Sequence, residues 1–296
     1  MNPPSRLAIL SSAVIGALLG ASPALAAPIV LGSNLATFSV LGAQTVTNTG
    51  ATTLGSSLGV SPGSSITGSG TITLTGTIHA TDAFAALAQA ELTAARGVLD
   101  SQGVGSLLAA DLTLTGPFLL PGVYRVPFGV TNLSGVLTLK GTDTANAGDT
   151  WIFQMESSLI TSPNSSVNMI DTDSTAGVYW NVRSSATIDT NTAFLGNILA
   201  LTSISMKTGA TNLCGRALAD TGAVTLEANS LSGDCTGILD DSNGLGGGIA
   251  GTGTGDIPAG PVLVINVPEP GTLALLAIGL AAVPFGRRRR AERRAT

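Results

Sequence analysis

The sequence predicts an all-β domain wound as a β-solenoid, with one long α-helix lying against it. Short β-branched runs broken by Gly, Ser, Asn and Thr fill most of the chain. One Ala-rich stretch, about 82–102, sets Phe84, Leu87, Ala88, Leu92, Ala95, Val98 and Leu99 at helical spacing. The second half also repeats at intervals near twenty residues, the mark of stacked coils.

The repeat predicts a register. Thr187, Ser205 and Thr225 align within Ala186-Thr187-Ile188-Asp189, Ile204-Ser205-Met206-Lys207 and Val224-Thr225-Leu226-Glu227. With a side-chain period of two, Ile188, Met206 and Leu226 point inward and the aligned Thr/Ser positions point out. Asp189, Lys207 and Glu227 form a second outward row, with the lysine between two carboxylates. A sandwich is the alternative; the matching inward and outward rows favour stacking. For the helix, Thr81 is the expected N-cap, with Asp82 in the first turn.

Neither end of the chain belongs to this fold. Residues 1–26 read as a signal peptide: Arg6, an apolar run from Leu7 to about Leu19, and small residues at Ala24-Leu25-Ala26. At the other end, Pro268-Glu269-Pro270 precedes an apolar run over 271–285 and then Arg287-Arg288-Arg289-Arg290. A helix over that run would be about 22 Å long at 1.5 Å per residue, short of the roughly 30 Å hydrocarbon core. The arginines would hold its end in the cytoplasm. The segment 267–296 resembles the PEP-CTERM sorting tag of Gram-negative bacteria. The resemblance implies an exosortase-type processing enzyme as partner, transient membrane insertion through 271–285, cleavage near the motif, and release to the surface or exterior. It also brings exopolysaccharide in as a further partner.

Between these ends lies one domain, 27–241, and a Gly-rich linker, 242–266, that reads as a flexible stalk. Six basic residues against sixteen acidic ones over 27–266 give a formal charge of −10. That balance opposes nucleic acid or an anionic membrane surface as partner. Cys214 and Cys235 are the only cysteines. In an exported chain they favour a disulfide worth about 3 kcal/mol, with free thiols or a metal pair as alternatives. Both fall in the coils nearest the C-terminal end of the stack, where fraying would begin.

No catalytic constellation is visible, and no cofactor or metal is expected. His79 is the single histidine, which excludes a histidine metal cluster or a Ser-His-Asp triad. Asp171 and Asp173 lack the glycine and glutamate that complete a calcium loop. Asp189 and Glu227 are the candidates for carboxylate-based glycan cleavage; the intervening Lys207 favours a structural role.

A second resemblance runs through nearly the whole domain. It rests on Leu35-Ala36-Thr37-Phe38-Ser39-Val40-Leu41, Thr45-Val46-Thr47-Asn48-Thr49-Gly50, Gly59-Val60-Ser61-Pro62-Gly63, Gly76-Thr77-Ile78-His79-Ala80, Pro121-Gly122-Val123-Tyr124, Trp151-Ile152-Phe153-Gln154, Gly196-Asn197-Ile198-Leu199-Ala200 and Gly215-Arg216-Ala217-Leu218-Ala219. These pieces, in this order, resemble the microbial ice-binding (antifreeze) proteins. The resemblance implies a right-handed discontinuous β-solenoid with one long helix packed alongside, an ice surface or ordered water as ligand, and no enzymatic activity. It also implies a face built from Thr-Ala/Gly-x-Thr/Asn. Thr208-Gly209-Ala210-Thr211 fits that pattern fully, Thr190-Asn191-Thr192-Ala193 only at its first residue, and Ala228-Asn229-Ser230-Leu231 at neither key end. The expected ice-facing residues are Thr190, Thr192, Thr208 and Thr211. A biofilm or cell-surface matrix protein that reuses the scaffold without binding ice is the alternative.

Overall fold

The structure is a computed structural model, and it describes residues 31–142, 149–172 and 176–233. The signal segment 1–26, the linker 242–266, the tag 267–296 with its run 271–285, and Cys235 lie outside the described residues.

The β-branched runs form three parallel sheets that the chain visits in turn. One coil passes through Gly177–Val182, Ala186–Ile188 and Ala193–Phe194 before Asn197–Ala200 begins the next. Each full coil gives one strand to each sheet, so strands of successive coils stack about 4.8 Å apart around a shared core. Sheet A has nine strands: Ile78–Ala80, Ser57–Val60, Phe38–Gly42, Ala217–Ala219, Asn197–Ala200, Gly177–Val182, Thr150–Met155, Gly122–Val126 and Ser106–Leu107. Sheet B has six: Leu159–Ile160, Ala186–Ile188, Ile204–Met206, Val224–Glu227, Thr45–Thr49 and Ser65–Thr67. Sheet C has seven: Val136–Lys140, Ser166–Ile170, Ala193–Phe194, Thr211–Asn212, Ser230–Leu231, Thr52–Leu54 and Ile72–Leu74.

The stack does not follow chain order. The first coil, through Phe38–Gly42, Thr45–Thr49 and Thr52–Leu54, pairs with the last described coil, through Ala217–Ala219, Val224–Glu227 and Ser230–Leu231. That last coil pairs on its other side with Asn197–Ala200, Ile204–Met206 and Thr211–Asn212. The C-terminal coil is therefore in the interior of the stack. This corrects the expectation that Cys214 sits at a fraying end, because strands cover its coil on both sides.

The predicted register holds. Thr187 pairs with Ser205 and Ser205 with Thr225, while Ile188, Met206 and Leu226 are fully buried. On the inner side of sheet A an aromatic stack fills one half of the core. Tyr124 to Phe153 is 5.8 Å and Phe153 to Trp180 is 4.1 Å between ring centres. The same ladder then narrows to Ile198, Ala217 and Val40, so the large rings occupy a single end of the solenoid.

The helix spans Ala83–Asp100, one residue later and two earlier than the expected 82–102. Its N-cap is Asp82, whose carboxylate accepts the Ala85 N–H at 2.8 Å. Thr81 stands outside in a left-handed conformation, φ 59, so the expected cap moves by one residue. Ala85, Ala88, Leu92, Ala95 and Leu99 pack on Phe38, Leu41, Ile152, Tyr179, Leu199 and Leu218. Leu87 is left out of this contact, at 55% exposure. Sheet A is thereby buried on both faces across its central strands, which is why Gly177–Val182 and Asn197–Ala200 read as unbroken buried runs. Sheets B and C carry no such cover, and their strands alternate.

Candidate functional site

Two regular open surfaces are present, the outer faces of sheets B and C. Sheet C carries the ladder Val136, Ser166, Ala193, Thr211, Ser230, Thr53 and Thr73, and sheet B the richer run of threonine and serine. In sheet B one ladder runs across all six strands: Ile160, Thr187, Ser205, Thr225, Thr47 and Thr67, each paired with the next. The residues on either side of this row point inward, including Val46, Val224, Ile204 and Ala186, all buried. Alternation therefore leaves the Thr/Ser row standing off a closely packed apolar layer. Thr67 donates to Thr47 between hydroxyls at 3.2 Å. Two residues before the row stands a second column, with Thr45 paired to Ser65 and Ser203 and Ser185 at the equivalent places in their coils. No charged side chain occurs in either column.

The charged row lies at the edge of this face. Lys207 reaches Glu227 at 3.3 Å, and both side chains are partly exposed. The register sets Lys207 on the coil between Asp189 and Glu227, as expected, and its ammonium pairs with Glu227 of the two. Asp189 instead accepts the Thr190 N–H at 2.6 Å, and Thr49 is the partner of Glu227 in the next coil.

Immediately beyond this row the chain turns from sheet B into sheet C. Asn164, Asn191, Gly209 and Ala228 all have positive φ there, at 61°, 55°, 72° and 53°. The column is stitched by backbone bonds, from Asn164 N–H to Thr190, Asn191 N–H to Thr208, Gly209 N–H to Glu227, and Ala228 N–H to Thr49. Gly209 shares its left-handed φ with Asn191 and Ala228, and a Cβ on it would come within 2.5 Å of Asn191 Oδ1, so that side chain would have to shift. Asn229 locks the corner from inside, donating to the Lys207 and Ala210 carbonyls at 2.8 and 3.0 Å.

The expected Thr-Gly-Ala-Thr motif is thus a corner and not a flat face. Thr208 is exposed and donates to Glu227 at 3.2 Å. Ala210 is fully buried, and Thr211 begins a strand of sheet C. Thr190 is half-buried in the equivalent corner one coil away. Thr192 is corrected outright: it is fully buried, donates to the Ser162 carbonyl at 3.1 Å, and lies 3.2 Å from the Thr161 hydroxyl. Period-two alternation cannot be carried from Thr190 through a left-handed Asn191, so the side chain turns inward.

Residues missed by sequence reasoning are those the first two coils add to the row, Thr47 and Thr67 with Thr45 and Ser65. Their signal is present, because Thr45-Val46-Thr47 and Ser65-Ile66-Thr67 are twenty residues apart, like Ser205 and Thr225. Elsewhere, His79 Nδ1 lies 2.7 Å from the Asp82 carboxylate, and its ring lies 4.8 Å from that of Phe84. Asp171 pairs with Lys140, and Asp173 lies outside the described residues. Cys214 is buried and is not a free thiol. Among the described residues no helix is long and apolar enough to cross a membrane.

Comparison with known proteins agrees with this architecture. Residues 40–232 match the family described as Ice-binding-like. Residues 266–290 match the PEP-CTERM protein-sorting motif, which marks the chain for export to the cell surface or beyond and implies exosortase processing. An ice-binding protein of Nostoc sp. (strain HG1) is 39% identical over 90% of this chain and 89% of its own length. The crystal structure of an ice-binding protein from an Antarctic biological consortium is similar at 35% identity and a TM-score of 0.60, covering 69% of this chain and 90% of that one. That of the Antarctic ascomycete Antarctomyces psychrotrophicus gives 31% identity and a TM-score of 0.60, covering 70% of this chain and 98% of that one. Since the match spans the coil stack from the first strand of sheet A to the last of sheet C, the chain belongs to the ice-binding-like family.

Proposed function

We propose that this chain is an exported ice-binding protein that engages ice through the outer face of sheet B. The observation that carries the reading is the unbroken ladder Ile160, Thr187, Ser205, Thr225, Thr47 and Thr67. Methyl and hydroxyl groups repeating about every 4.8 Å across the strands offer water a regular template. The template is preformed, because the row stands on a packed core and little ordering is left to be done on binding. Thr190 and Thr208 form the rim of this surface toward sheet C, and Thr211 stands beyond it on sheet C, between Ala193 and Ser230. The reading is of a binding protein and not an enzyme, since a row of hydroxyl and methyl groups that orders water needs no titrating group. Ice-recrystallisation inhibition by the secreted protein tests it. Absence of inhibition at micromolar concentration leaves the matrix-scaffold reading in its place.

The processing that fits the sequence is removal of 1–26, a mature domain over 27–241, a stalk over 242–266, and transient insertion of 271–285 in a Gram-negative inner membrane. Cleavage then falls near Pro268-Glu269-Pro270, and exopolysaccharide is the surrounding matrix. Mass spectrometry of the secreted protein tests this. Intact Arg287-containing protein in the medium refutes the cleavage.

Cys214 and Cys235 are paired in the same proposal, because they are the only two cysteines in the chain and Cys214 carries no free thiol. The bond would fasten the segment leaving the central coil. Thiol labelling of unfolded, unreduced protein would find no reactive cysteine; two labelled cysteines would sink the pairing.

A further inference from the structure

The large exposed apolar side chains are concentrated at one end of the solenoid. Leu107, Leu114, Phe118, Leu120, Phe128 and Val130 are between 41% and 83% exposed, and all belong to the coil and partial coil that close this end. Sheet A ends here on the two-residue strand Ser106–Leu107, whose outer edge no described strand covers. An apolar end beside an open strand edge is a surface that native proteins keep covered.

We infer that this end is covered by the chain's own residues 262–267, Val262-Leu263-Val264-Ile265-Asn266-Val267. They form an uncharged, strongly β-prone run that the linker places just before the sorting motif. The described chain leaves from Gly233, after the sheet C strand Ser230–Leu231. Four strand steps, through Thr211–Asn212, Ala193–Phe194 and Ser166–Ile170 to Val136–Lys140, separate that strand from the apolar end. At about 4.8 Å per step this is roughly 19 Å. A Gly-rich chain of the length of 242–261 has a root-mean-square span of about 25 Å, more than this distance. The local concentration of the run there is in the millimolar range. A second copy is the weaker occupant, because each mature domain carries the same formal charge of −10 and copies repel. Docking uses the run in the two ways that strand addition allows: backbone groups on the open edge, and alternate side chains against the apolar surface. The inference rests on cleavage leaving 262–267 in the mature chain.

The test uses the protein secreted by an exosortase-bearing host, with its C-terminus first read by mass spectrometry. Hydrogen exchange is then followed in peptides covering 106–120 and 262–267. The run and the end should protect each other: Val264→Asp should raise exchange in 106–120 severalfold, and Leu114→Asp should do the same in 262–267. Both variants change exposed or linker positions, so circular dichroism and ice activity should stay unchanged. Monomeric mass by light scattering is expected throughout. A C-terminus upstream of 262 overturns the proposal, as does exchange that neither variant alters. Protection seen only with a dimeric mass assigns the surface to a second copy. Protection seen only with added phosphatidylcholine vesicles assigns it to lipid, and either result also overturns the proposal.

Discussion

Arg96 of the helix and Asp220, at the end of a sheet A strand, lie 2.9 Å apart with both side chains at most 10% exposed. Thr93 donates to the same carboxylate at 2.7 Å, and Gln89 donates to the Ala219 and Asp220 carbonyls at 3.1 and 2.6 Å. Three successive turns of the helix are thus fastened to the one coil that joins the first and later parts of the chain. Glu91 ties the same helix to Asn34 and Leu35 through their backbone N–H groups at 3.0 and 2.7 Å.

Asp220→Ala should therefore cost about 3–5 kcal/mol, since it leaves the Arg96 charge buried without its partner. Arg96→Met with Asp220→Leu should recover most of that loss, because apolar packing replaces the pair at little net cost. Urea denaturation of the three proteins checks this. A loss below about 1 kcal/mol for the single change would mean that water reaches the guanidinium.

On the open face of sheet B, Thr225→Tyr should remove most of the thermal hysteresis while changing stability by no more than about 0.5 kcal/mol, as expected at a solvent-facing site. Its ring would stand out of the middle of the ladder. Thr211→Tyr, on sheet C, should have a smaller effect. Reversal of that order would move the ice-facing surface to sheet C.

Lys207→Gln breaks the 3.3 Å contact with Glu227. The pair is partly exposed, so the loss should be about 0.2–1 kcal/mol and should shrink as salt is added. Hysteresis should be nearly unchanged. Abolished activity in a folded Lys207→Gln protein would place the charged row at the ice contact.

Burial pushes the Tyr179 phenol up to about 12, with Arg216 pulling it partly back. An unfolded tyrosine titrates near 10. The stabilisation linked to the neutral phenol is therefore complete below pH 10 and is lost as pH rises through 12. Its full size is roughly 2–3 kcal/mol. Tyr179→Phe should flatten the decline in stability between about pH 10 and 12, followed by denaturant titration at each pH. An unchanged decline would place the alkaline transition at another group.

Much of the fold was legible because strand alternation is local. Ile188, Met206 and Leu226 are buried as the period of two requires, and Thr187, Ser205 and Thr225 stand outside. What local pattern cannot carry is order along the stack. Nothing around Thr47 says that it neighbours Thr225, since that pairing links opposite ends of the domain. Corners hide side-chain direction in the same way: Thr192 looks equivalent to Thr190 until the left-handed residue between them reverses its direction. The helix was legible from its apolar stripe, whereas its cap shifted from Thr81 to Asp82 because either side chain can bond the first turn. The Thr-Gly-Ala-Thr segment was recognisable as a motif, and only its three-dimensional setting identifies it as a bend.

The central position of the last coil also governs how the domain can come into being during export. Phe38–Gly42 emerges early, yet its partner Ala217–Ala219 follows some 180 residues later, so closure is a long-range event with slow kinetics. Until then the early block presents an unpaired edge, a condition that invites misassociation. A chain halted before residue 217 would yield two stacks with no strand pairing between them, linked through the helix that packs on Phe38 and Leu41 of one and on Ile152, Tyr179 and Leu199 of the other. Completion of synthesis is thus built into the architecture as a condition for forming one continuous threonine surface.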